Sequence, residues 1–285
     1  MAEREMVSMA SSPSAPAAAL ARYVAMGSSF AAGPGVGRRD PGSARVCARS
    51  AENYPYLLAR TRGLALTDVT CSGATSLQVL EESQSGQPPQ IHALRPETEL
   101  ITLTVGGNDV SYVGNMLMWS AQDARRLPFV WRLLLPLLPK PASDADVDRA
   151  LLALPLRLTR IAEEARRRSP NAALVFVDYA TILPEADPET YTALLPLTHE
   201  HLERCRYVAQ RLAATFADVA QQTGALLARA SEITRGHDVC ASDPWIEGFI
   251  LPGRPFAFEP IAYHPNARGM QAVADAINVA LGPVG

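Results

Sequence analysis

Five short apolar runs, each closing near glycine or a small polar residue and separated by longer stretches with helical spacing, constrain this chain more than any other feature. The runs are Arg22–Met26, Leu64–Thr70, Leu100–Val105, Ala173–Val177 and Ala225–Ala228. Strands that alternate with helices are the signature of a parallel sheet covered by helices, so the expected fold is a three-layer α/β/α sandwich. Helices are expected at Tyr54–Thr61, Val147–Arg168, Ala193–Thr223 and Asn266–Leu281. Pro155 and Pro196 should kink or interrupt two of them, because proline removes a helix N–H and clashes with the preceding turn.

A length of 285 residues fits one α/β domain. Residues 1–21, rich in Ala, Ser and Pro, read as a poorly ordered lead-in, and the domain as 22–285. Between about 112 and 141 lies an apolar segment with Met116, Trp119, Phe129, Trp131 and a Leu/Pro run. It reads either as a cap inserted after a strand or as a helix pair packed on the body. Trp119, Trp131 and Trp245 read as core or cap packing or as the lining of a pocket.

The net charge of -3 gives no electrostatic reason to expect nucleic acid as a partner. No apolar window reaches the roughly 18 residues of a membrane span. The start of the chain, with Glu3, Arg4 and Glu5, lacks the basic region and apolar core of a signal peptide and points to a cytoplasmic protein, unless a leader is missing. Cys47, Cys71, Cys205 and Cys240 lack metal or redox spacing, so no metal is expected; two sequential disulfides and four buried thiols both fit them.

The first strand ends in Gly27-Ser28-Ser29-Phe30. A serine just past the carboxyl edge of a parallel strand faces the crevice where open α/β sheets bind ligands. Neither dinucleotide-binding nor Walker spacing accompanies it. Three further blocks follow in order: Cys71-Ser72-Gly73-Ala74-Thr75, Gly106-Gly107-Asn108-Asp109, and Tyr263-His264-Pro265-Asn266. Together the four blocks resemble those of the SGNH/GDSL hydrolases, and Gly236-His237-Asp238-Val239-Cys240 followed by Trp245 makes the likeness nearest to secreted actinomycete esterases and lipases.

That resemblance implies a flavodoxin-like sheet and a carboxylic-ester hydrolase working through an acyl-enzyme. Ser29 would be the nucleophile and His264 the general base, with an oxyanion hole from Ser29, Gly73 and Asn108. No cofactor would be needed, and the partner would be a small-molecule or lipid ester acted on by a monomer. It also implies the pairs Cys47–Cys71 and Cys205–Cys240 and a secreted protein. Two departures stand out: Ser28 replaces the family's Asp before the nucleophile, and Ile261 replaces the Asp three positions before the histidine. The histidine is then expected to be oriented by the backbone carbonyl near Ile261, with the Glu259 carboxylate as the alternative. His199, His201 and His237 read as surface or structural residues, and Asp109 as a turn or helix-cap residue. An acyltransferase with the same centre, and a binding module without catalysis, are the competing functions.

Overall fold

The structure, a computed structural model, describes residues 21–124, 128–134, 137, 139–186, 193–251 and 258–283. The lead-in expected at 1–21 therefore lies outside the described residues save its last position, as does part of the segment at 112–141. Five strands form one sheet: β1 (Arg22–Gly27), β2 (Ala65–Asp68), β3 (Leu100–Thr104), β4 (Ala173–Val177) and β5 (Leu226–Ala228). Their order is β2-β1-β3-β4-β5 and every pairing is parallel. This is the doubly wound 2-1-3-4-5 order, in which the crossovers reverse direction between β1 and β3 and open a crevice at the carboxyl ends of those strands. β2 stops short of the expected Thr70 because the Asp68 carboxylate turns back to accept the Thr70 N–H at 2.9 Å.

Alternation along the strands divides the core in two. Val24, Met26, Ile101, Leu103 and Phe176 face α3 (Ser76–Leu80), α6 (Asp144–Arg168) and α7 (His199–Thr223). Tyr23, Ala25, Leu100, Val175 and Val177 face α2 (Tyr54–Arg62) and α9 (Ala267–Leu281). The remaining helices are α1 (Ser29–Ala32), α4 (Tyr112–Asp123), α5 (Phe129–Leu134) and α8 (Ala230–Ile233).

One proline interrupts its expected helix and the other does not. Pro155 lies inside an unbroken α6, where Leu151, Leu154 and Leu158 are all buried and anchor the turns on both sides of the missing N–H. α7 starts at His199 rather than Ala193: Pro196 lies before it and the Thr198 hydroxyl accepts the His201 N–H.

α4, the first half of the segment expected as a cap or a packed pair, lies against α7. Tyr112 and Met116 are buried in the core, and the Trp119 ring stacks on His201, whose Nδ1 is 2.7 Å from the Asp123 carboxylate. In α5, by contrast, Phe129 is 81% exposed.

Cys47 and Cys71 form a disulfide that ties the loop after α1 to the loop after β2. The second pair implied by the resemblance, Cys205–Cys240, is not formed. Cys205 points from α7 into the core beside Tyr112, where burial raises its thiol to about 12 and makes it a small apolar packing group.

The Cys47–Cys71 bridge spans 24 positions, a loop for which chain-entropy arguments give a stabilisation of about 3 kcal/mol. Cys47→Ser with Cys71→Ser is expected to lower the unfolding free energy by about that amount, read as a lower urea midpoint. An unchanged midpoint would show that the bridge contributes nothing to stability.

Candidate active site

The serine turn begins where β1 comes closest to β3. Gly27 has φ of 147°, and a side-chain carbon there would sit 2.4 Å from the Thr104 carbonyl oxygen, so the position admits only glycine. The Ser28 N–H donates to that same oxygen at 2.9 Å, and the chain then folds directly into α1. Ser29 is the first residue of α1 and is 9% exposed, and its Oγ lies 2.7 Å from Nε2 of His264.

His264 arrives in the loop before α9. Tyr263, just ahead of it, takes a left-handed φ of 64° although it is not glycine, a conformation of order 1–3 kcal/mol above the ordinary ones. It is held there by its N–H, which donates to Glu247 at 2.9 Å, and by its hydroxyl, 2.5 Å from the Ser120 hydroxyl of α4. The ring Nδ1 of His264 is 2.9 Å from the Ala262 carbonyl. A carbonyl only accepts, so Nδ1 carries the proton and Nε2 is left to accept from the Ser29 hydroxyl.

The backbone carbonyl expected at Ile261 is thus corrected by one residue. The Ile261 oxygen accepts the main-chain N–H of His264 at 3.3 Å, and Ala262 holds the ring. The left-handed turn at Tyr263 folds the chain back so that the second carbonyl before the histidine, not the third, meets the imidazole. Glu259 is exposed and is not a partner of the ring. Burial pushes His264 down to about 4, against the smaller opposing pull of the Ala262 carbonyl.

The second and third blocks converge through Asp109. Its fully buried carboxylate accepts the N–H of Ser76 at 2.9 Å and the Ser76 hydroxyl, and pairs with Arg157 at 3.1 Å. Asp109 therefore caps the first turn of α3, a helix that follows Gly73 directly, and locks the Gly73 loop to the Asn108 loop. Asn108 spends one amide hydrogen on the Ala74 carbonyl at 2.9 Å, which leaves the second. Among the described residues, the main-chain N–H groups of Ser29 and Gly73 make no hydrogen bond.

Tyr179 was not found from the sequence. Its hydroxyl accepts the Gly107 N–H at 2.7 Å and exchanges a hydrogen bond with Ser28. Its ring packs edge-on against Phe30, with centroids 4.8 Å apart, and Phe30 in turn lies 4.9 Å from the His264 ring. Here, then, is what Ser28 touches in place of the family's aspartate. The one signal available was position: Tyr179 follows the carboxyl end of a parallel strand, the side on which such sheets place ligand residues.

Elsewhere His237 stacks on Trp245, with centroids 3.5 Å apart, and its Nδ1 lies 2.9 Å from the Asp243 carbonyl, away from the Ser29 hydroxyl. Trp119 and Trp245 are thereby both occupied by stacking on histidines. Taken together, the crevice holds a serine hydroxyl poised on a neutral base, beside two unspent backbone donors and one amide donor, an arrangement suited to acyl transfer.

Comparison with known proteins agrees with that chemistry. Residues 25–272 match the model of the GDSL-like Lipase/Acylhydrolase family. The chain is 32% identical to Lipase 2 of Streptomyces coelicolor over 256 residues, covering 89% of this chain and 83% of the relative. It is 26% identical to a lipase of Streptomyces rimosus, with 90% of this chain and 85% of the relative covered. The crystal structure of phospholipase A1 from Streptomyces albidoflavus NA297 superposes with a TM-score of 0.70 at 25% identity, over 92% of this chain and 100% of that one.

The depressed basicity of His264 has a thermodynamic signature. An unfolded histidine titrates near 6.5, whereas this one titrates near 4. Between those values the unfolded chain binds more protons, so His264 removes stability as pH falls through that window. The urea midpoint is expected to drop between pH 7 and pH 4.5, and part of the drop should vanish in His264→Gln. An equal drop in both proteins would refute the assignment.

Proposed function

The chain belongs to the GDSL-like Lipase/Acylhydrolase family and is a serine ester hydrolase; from that premise we propose that Ser29 is its nucleophile and His264 its general base. The observation that carries the reading is the 2.7 Å contact between Ser29 Oγ and an Nε2 whose ring is oriented by a carbonyl on its other side. As Oγ attacks the ester carbonyl carbon, its proton passes to Nε2. The bond to the alcohol then breaks, and Nε2 returns the proton to the leaving oxygen. Water attacks the acyl-serine in the second half, giving its proton to Nε2, and the acid departs as Ser29 recovers its hydrogen.

Negative charge on the carbonyl oxygen is received by the N–H groups of Ser29 and Gly73 and the free amide hydrogen of Asn108. Donors already fixed in place lower the barrier without reorganising. Gly73 suits that role because its φ of 81° belongs to glycine and its amide makes no hydrogen bond among the described residues. No second subunit is required, since all these residues come from one chain.

The substrate we infer is a lipid ester, from the lipases and the phospholipase A1 named above. α4 flanks the site on this reading, from the side where its Ser120 meets Tyr263. Transfer to an alcohol or sugar acceptor uses the same centre, but these relatives favour water as the acceptor.

A serine-directed organophosphonate is expected to leave a single adduct on Ser29, located by peptide mass spectrometry. Ser29→Ala and His264→Ala should each lower kcat by roughly 10⁴–10⁶, with the double variant little worse because the pair acts as one unit. Ser28→Ala should be far milder. Asn108→Ala is expected to lower kcat by about 10²–10³ with an intact fold. An adduct on another residue, or near-normal turnover in Ser29→Ala, would overturn the nucleophile; an Asn108→Ala effect confined to KM would remove it from the oxyanion hole.

A further inference from the structure

The sheet runs out of partners just where the serine turn starts. β1 pairs with β2 only as far as Ala25 with Asp68, whereas its pairing with β3 continues to Gly27 with Thr104. Alternate residues of a strand turn their N–H and C=O groups to opposite neighbours. Ser28 donates toward β3, and Gly27, like Ala25, faces the β2 side, from which β2 has already departed. A buried N–H left there would have nothing to bind.

Gln90 fills that place. Its Oε1 accepts the Gly27 N–H at 2.7 Å and its Nε2 donates to the Gly27 carbonyl at 3.0 Å, so one primary amide supplies the acceptor that the chain after β2 does not offer and a second donor to the carbonyl. The side chain is 5% exposed and rises from a 3₁₀ turn, Gln90–Ala93, whose Ile91 is fully buried in the core. Cys71, half of the disulfide, donates to the same carbonyl at 3.0 Å. Gly27 and Ser28 are thus gripped from opposite sides, by Gln90 and by Thr104, immediately before Ser29.

We propose that Gln90 is a positioning residue of the nucleophile turn, an inference that rests on Ser29 being the nucleophile. Its paired hydrogen bonds fix the rotation of the peptides that enter Ser29 and so the direction of Oγ toward Nε2 and toward the ester carbonyl. The role needs a donor and an acceptor at once, at the reach of a two-methylene side chain. A carboxylic acid provides both when protonated, and a carboxylate provides only acceptors, one of which then opposes the Gly27 carbonyl.

The test counts working sites and measures each one. Q90L and Q90E are titrated with a chromogenic organophosphonate, and kcat is expressed per titrated serine on a soluble chromogenic ester. Q90L is expected to lose about 10- to 100-fold in kcat per site, the scale associated with small misplacements of a reacting group. The rate constant for phosphonylation should fall in parallel and KM change little. Q90E should approach the parent at about pH 5 and lose kcat per site as pH rises, a descending limb that the parent lacks.

A merely structural glutamine predicts something else: fewer titratable sites, each with the parent's kcat, and no new limb. That outcome overturns the proposal, as does loss of all titratable sites in both variants at every pH, which would make Gln90 a folding determinant. If only Q90L fails to fold, the pH profile of Q90E decides. Labelling of a residue other than Ser29 in the parent would instead remove the premise, whatever the Gln90 variants do.

Discussion

The closeness of β1 to β3 at Gly27 is the constraint on which the rest of the site depends. With no room for even one side-chain carbon before the Thr104 oxygen, the last residue of β1 adopts a backbone open only to glycine, and the chain leaves the sheet at an angle that drops Ser29 onto its carboxyl edge. The crossovers reverse between these same two strands. The crevice therefore gathers the serine turn from β1 and, from β3, the Gly106–Asn108 loop. Gln90, Tyr179 and Asp109 then act as side-chain braces between loops that the sheet has brought together but does not itself bond.

Burial sets the electrostatics of His264, the proposed base. His264 is held as a neutral imidazole far below its ordinary range by loss of water, and its orienting partner is a dipole rather than a charge. The alternative, a carboxylate beneath the ring, would have to be desolvated as well. Asp178 shows what that involves in this core: even with the Ser231 N–H at 2.9 Å and the Ser231 hydroxyl as donors, burial raises its carboxyl to about 6. A carbonyl fixes the tautomer without that expense, although it stabilises an imidazolium less than a carboxylate does.

Sequence reading located the strands to within a residue or two, most easily the central β1, β3 and β4, whose nearly complete burial makes them mostly apolar runs, and it brought Ser29, Gly73, Asn108 and His264 forward because they lie in compact motifs. Pro155 does not interrupt α6, because the rule for proline concerns one missing N–H, while Leu151, Leu154 and Leu158 around it are buried. The Cys205–Cys240 pair implied by the resemblance is not formed: Cys205 is buried in the core as a free thiol. The one-residue error between Ile261 and Ala262 came from a left-handed turn at Tyr263, which a tyrosine does not advertise. Gln90 and Tyr179 stayed unseen because they bind Gly27 and Gly107 from 63 and 72 positions away, and no local pattern encodes such a contact.

The serine and the histidine are themselves 235 positions apart, and that span bears on when the protein becomes an enzyme. During synthesis the serine turn emerges early, together with its disulfide loop, whereas the base enters only with the loop that leads into α9. α9 covers one face of the sheet by packing on α2 and β5, so on the proposed assignment the same C-terminal segment closes that face and brings the base to the serine. On the proposed assignment, a chain cut before His264 keeps the serine hydroxyl without the imidazole that would activate it.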